Sequence, residues 1–178
     1  MMDSPSSFSG RIRPTRRTHR APRPASRTYA FIGVTVADGR PTTQTIVLDA
    51  QFRFAALRTM LAGGVHRVVV LSEPRPTADI VSRAEEVAAA ERARRDRLPE
   101  FHPAAEQIGL VASYPASLID EDSPLLAISA SLDEATAAAL EFIDRGASAF
   151  DVVSFAGGGV AGLVQTMLDL ADRSAAAG

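Results

Sequence analysis

From Tyr29 onward, short runs of β-branched and aromatic residues alternate with longer segments whose apolar residues recur at helical spacing. That alternation constrains the chain most tightly, because strands joined by helix-length crossovers pair in parallel and need helices on both faces of the sheet. Tyr29 to Val36 reads as a buried first strand, and Val65 to Leu71 is the most continuous β-branched run. Phe150 to Phe155 reads as a further buried strand, with Ile108 to Ala112 and Leu125 to Ala130 as shorter ones. Val69 and Val153, inside two of these runs, are expected to be buried on both faces of central strands. A helix is expected over Ala78 to Arg97, capped by Thr77, and another over Leu163 to Ala171. Ser131 and Glu134 form a capping box for a helix that runs through Ile143 to Gly146. The expected fold class is α/β, a three-layer α/β/α arrangement around a mainly parallel sheet.

One segment admits two readings. Asp38-Gly39 between apolar runs is a hairpin signal, with a second strand at Thr43 to Leu48. Against it, Ile46, Ala50, Phe54, Leu57 and Leu61 fall on one helical face that ends at Gly63-Gly64. The length of that periodicity favours a helix from Thr43 to Ala62.

Composition bounds the rest. With 178 residues, 46% of them apolar, the chain suffices for one domain with a buried core. Residues 1 to 27 hold seven arginines and one acid, +6, so the remainder carries −8 of the net −2. This Arg/Pro/Ser-rich tail is expected to be disordered, and residues 28 to 178 to form a single α/β domain. Nucleic acid is an expected partner only through that tail, by contacts to phosphates. No apolar stretch approaches the length of a bilayer span, and cysteine is absent, so the expected home is a reducing cytoplasm with no membrane partner. There is no lysine either, which excludes a Walker lysine or a Schiff base, and all 19 basic residues are arginine. His19, His66 and His102 lack the spacing of a zinc site, and Asp120-Glu121-Asp122 reads as a solvated acidic loop, so no metal is expected.

In a parallel sheet, ligands bind where strands run into helices. Two such loops stand out. Arg40, Thr42, Thr43 and Thr45, directly after the first strand, supply a guanidinium and hydroxyls suited to a phosphate, or else form a plain polar turn. Gly157, Gly158, Gly159 and Gly162 match G-x-G-x-x-G between a strand and a helix, or else serve tight packing. The chain has no room after them for a full dinucleotide-binding half.

These loops together resemble the flavodoxin-like NADPH-dependent FMN reductases. Ala139-Leu140-Glu141-Phe142-Ile143-Asp144 and the Gly-Gly loop at Gly157-Gly158 stand in that family's order, although the Gly-Ser that opens the family's phosphate loop is missing. Tyr114-Pro115 would correspond to a flavin-side loop in which the family places proline before tyrosine. The resemblance implies a flavodoxin-like fold, FMN held by Arg40, Thr42, Thr43, Thr45, Tyr114, Gly157, Gly158 and Gly159, and NAD(P)H as co-substrate. The implied activity is reduction of FMN or a quinone-like acceptor by a homo-oligomer, with no particular catalytic acid or base required. The expected partners are a small-molecule flavin or quinone and a second copy in a homodimer, and the alternative from another class is a non-enzymatic regulatory or assembly module that keeps the sheet without the cofactor.

Overall fold

Asp38 and Gly39 both take positive φ, 51° and 72°, the backbone of a two-residue hairpin turn of the primed kind. The chain therefore reverses at once. β1 (Thr28–Ala37) pairs antiparallel with β2 (Arg40–Asp49) along its full length, from Ala37↔Arg40 to Thr28↔Asp49. The segment expected to be a helix from Thr43 is thus strand as far as Asp49, and the helix α1 begins only at Arg53 and ends at Ala62. The β-branched run Thr42 to Leu48 decides this locally, since such side chains fit a pleated surface better than a helix.

The computed structural model describes residues 27–74, 78–94, 99–119 and 125–176. The expectations for the tail at 1–26, the cap at Thr77 and the acidic loop at 120–122 fall outside these residues. After α1 come β3 (Arg67–Glu73), α2 (Ala78–Ala93), β4 (Gln107–Ser113), β5 (Leu126–Ser129), α3 (Leu132–Asp144), β6 (Ala149–Phe155) and α4 (Gly159–Ala176). α2 stops at Ala93, short of the expected Arg97. α3 starts where the capping box placed it: Glu134 N–H donates to Ser131 Oγ at 3.2 Å, and the Glu134 carboxylate accepts from Ala130 N–H at 2.8 Å.

The six strands form one sheet in the order β2-β1-β3-β6-β4-β5, and every neighbouring pair is antiparallel. This corrects the expectation of a mainly parallel, flavodoxin-like sheet. The physical reason is the hairpin. α1 does carry the chain from β2 back to a strand of the same direction, β3, as a crossover helix should. However, β1 already occupies the inner side of β2, so β3 pairs with β1 and lies parallel to β2 without touching it. The second half repeats the arrangement, with hairpin β4–β5, helix α3 and strand β6.

The two ββαβα halves meet at β3 and β6, paired as Arg67↔Asp151, Val68↔Phe150 and Val69↔Ala149. A pseudo-twofold axis passes through Val68↔Phe150 and exchanges the halves. Its traces are visible outside the strands, because Gly64 and Gly146 each stand three residues before their strand with positive φ, 80° and 93°.

Alternation along the strands divides two cores. Phe31, Val68, Val70, Ile108, Leu110, Phe150 and Val152 face Leu57, Leu61, Ala139 and Phe142 of α1 and α3. On the other face, Ala30 and Ile32 meet Ile80, Ala84 and Ala88 of α2, while Val153 and Phe155 meet Leu163 of α4. Three layers are therefore present. Val153 is buried as expected, whereas Val69 is only half-buried beneath α2.

Candidate functional site

The direction of each β2 backbone group follows from the hairpin. A two-residue turn is closed by a hydrogen-bonded pair, here Ala37 and Arg40, so the even-numbered residues of β2 turn their N–H and C=O toward β1. Two bonds at the strand ends agree: Ala50 N–H donates to Arg27 C=O at 3.1 Å, and His66 N–H to Val34 C=O at 3.0 Å on β1's other side. The odd residues, Thr43, Thr45, Val47 and Asp49, therefore direct their backbone groups out of the sheet edge. Pro41, the odd residue without an N–H, sits where its missing donor disturbs no ladder.

This edge is unusual in two ways. It is ten residues long, against four for β5 at the opposite edge. It also carries no charge between Arg40 and Asp49, whereas exposed edges are commonly guarded by charges, bulges or short length. Beside it lies an open apolar groove of about 610 Å³, lined by Ile46 and Leu48 of β2 and by Phe52, Ala55 and Ala56 around α1, while the side chain of Val47, between the two β2 residues, turns to the opposite face of the sheet. Phe52 is 55% exposed and Val47 42%. Apolar side chains of that size are normally covered, at about 25 cal/mol for each Å² removed from water. The groove exists because α1 leaves β2 through the short 3-10 turn Ala50–Phe52 and overhangs the edge with alanines, which do not fill the space.

The residues expected to hold FMN are not gathered. Arg40 and Thr42 project from one face of β2, and Thr43 and Thr45 from the other. Thr42 meets Thr35 across the hairpin at 2.7 Å between hydroxyls, while Thr43 accepts a hydrogen bond from Arg92 of α2. Gly157, Gly158 and Gly159 follow β6, three strands away, about 14 Å at the usual spacing. Tyr114 follows β4 at the other end of the sheet and is buried, which pushes its phenol pKa up.

The glycine loop has a packing role that accounts for its composition. Gly157, Gly158 and Gly159 all hold positive φ, and a Cβ on Gly162 would stand 2.1 Å from the Gly157 carbonyl oxygen. Gly159 N–H, at the start of α4, donates to the Gln107 side chain at 3.1 Å.

Two further polar features lie in the interior. Arg67 joins Glu91 of α2 at 3.1 Å and Asp151 of β6 at 2.8 Å, all three poorly exposed, and so ties the two halves together at their junction. His66, 1% exposed, is held neutral: burial lowers its pKa to about 4, Arg67 adds to that effect, and Asp151 and Glu100 oppose it. Among the described residues its Nε2 has no hydrogen-bond partner. Among the described residues no cluster of histidine and carboxylate side chains is arranged to hold a metal ion, and no helix is long and apolar enough to cross a membrane.

Comparison with known protein families, with curated proteins and with solved structures found no match. The site rests on its geometry. Sequence reading overlooked the edge because it favoured the helical reading of Thr43 to Ala62; Asp38-Gly39 followed by an uncharged β-branched run was the signal that identifies it.

Proposed function

We propose that the chain is a non-enzymatic assembly module that captures an extended peptide segment as an added strand on β2. The observation that carries this reading is the coincidence, along one edge, of outward backbone donors and acceptors with an apolar groove. Strand addition uses both: main-chain hydrogen bonds give affinity, and alternate side chains entering a groove give register and specificity. An alternating apolar segment laid beside Thr43 to Asp49 would pair with the free groups of Thr43, Thr45 and Val47 and send every second side chain toward Ile46, Leu48 and Phe52.

The flavin reading draws less support, since the side chains it needs lie on opposite faces and different ends of the sheet. Titrating the isotope-labelled full chain with a synthetic peptide of residues 40–49 tests the strand reading. Amide shifts confined to Thr43, Thr45, Val47, Asp49 and the groove residues Phe52, Ala55 and Ala56 are expected. Shifts absent from β2, or FMN shifting Arg40, Thr42 and Gly157 to Gly159 together, would overturn it.

A further inference from the structure

The strand reading leaves the identity of the captured segment open, and the following inference rests on that reading. We propose that the segment is the β2 edge of a second copy of this chain, paired antiparallel about a twofold axis at Val47, so that two six-stranded sheets become one.

Symmetry narrows the register. In an antiparallel pair, hydrogen-bonded and non-hydrogen-bonded positions alternate, so a true twofold axis must place some residue opposite its own copy. Of the choices along β2, only Val47 sets all three apolar residues against apolar partners: Val47 opposite Val47, and Ile46 opposite Leu48 on each side. Hydrophobic pattern is what fixes register where one face is buried. Ile46 and Leu48 line the groove floor, so the pairing closes both grooves, and the exposed Val47 side chains cover each other on the other face. Asp49 then stands opposite Thr45, and Arg40 lies beyond the paired residues, so no like charges meet.

The chain already contains this joint. Its halves associate through β3 and β6, antiparallel, about a pseudo-twofold through Val68↔Phe150, over three residue pairs. The proposed contact repeats that mode at the outer edge. The arginine-rich residues 1–26 are a poorer occupant, having few apolar side chains to place in a groove whose lining holds no charge but Asp49.

The native chain has no cysteine, which makes a test direct. Opposed Cα atoms at a hydrogen-bonded pair are about 5.5 Å apart, within disulfide reach. The full-length Val47→Cys variant should oxidise to a covalent dimer, while Thr43→Cys, roughly 27 Å from its own copy in this register, should not. Sedimentation of the wild type should show a monomer–dimer equilibrium, and Val47→Lys should raise the dissociation constant at least about a hundredfold without changing the monomer's melting temperature. Full-length protein that stays monomeric to roughly millimolar concentration, with no Val47→Cys dimer, overturns the second-copy inference. In that event, binding of the 40–49 peptide still upholds strand capture, and its failure to bind sinks both. A dimer cross-linked by Thr43→Cys and unaffected by Val47→Lys would likewise overturn the proposed register.

Discussion

Acidifying the protein from pH 7 to pH 5 should remove stability through one buried side chain, His66. In the folded chain its imidazole is held near pKa 4, against 6.5 for the unperturbed group. Because the folded value is the lower one, the contribution is fully present above pH 6.5 and is lost progressively as pH falls toward 4. The shift of about 2.5 units corresponds to about 3 kcal/mol in all, and to about 2 kcal/mol by pH 5, where the unfolded histidine is almost wholly protonated and the folded one is not. Such a loss is a large part of a typical stability of about 5–15 kcal/mol. Urea unfolding of the wild type and His66→Leu at pH 7, 6 and 5 measures it. With the variant as reference for everything but the imidazole, the wild type should lose about 2 kcal/mol more than the variant over this interval. Parallel pH profiles would show that His66 is protonated in the folded state at pH 5 and that the burial argument fails.

Other consequences follow from the same geometry. Arg67→Met takes the cation from Asp151 and leaves Glu91 with Arg94 at 3.5 Å, and should cost about 3 kcal/mol, the low end for a broken buried pair, with Asp151→Asn partly restoring it, as read by denaturant melts. Gly162→Ala, whose new methyl would overlap the Gly157 carbonyl, should destabilise more than Gly159→Ala, which meets nothing within 4 Å and adds only the strain of its positive φ, about 1–2 kcal/mol. Equal losses would mean that the glycine loop is not set by packing. Along β2, Gln44→Pro removes a donor to β1 and should lower the melting temperature clearly, while Thr45→Pro removes an outward donor and should leave it nearly unchanged; the reverse order would invert the assigned edge.

Much of the fold was legible from local pattern. The runs at Tyr29, Val65, Ile108, Leu125 and Phe150 are strands, and Ser131 with Glu134 starts a helix, because burial and capping act over a few residues. Topology was not legible from the same signals. Ile46, Ala50, Phe54, Leu57 and Leu61 share a helical face by spacing alone, yet Ile46 belongs to a strand, and losing β2 turned a split crossover into an expected parallel pair. The candidate site was missed for that reason: a groove between an edge strand and a helix cannot be seen when both are read as one helix. The residues Arg40, Thr42, Thr43 and Thr45 were singled out for their side chains, but their alternation along β2 scatters those side chains over two faces while placing the backbone groups of Thr43 and Thr45 along one edge.

Strand capture at β2 is tested most directly by amide exchange read residue by residue, in dilute protein and again with the 40–49 peptide added or the chain concentrated. Gln44, Ile46 and Leu48 donate toward β1 and should be protected throughout, whereas Thr45, Val47 and Asp49 should exchange quickly when dilute and become protected when the edge is occupied. Protection that shows no odd–even alternation, or that leaves Thr45 and Val47 unchanged under both conditions, would contradict the account.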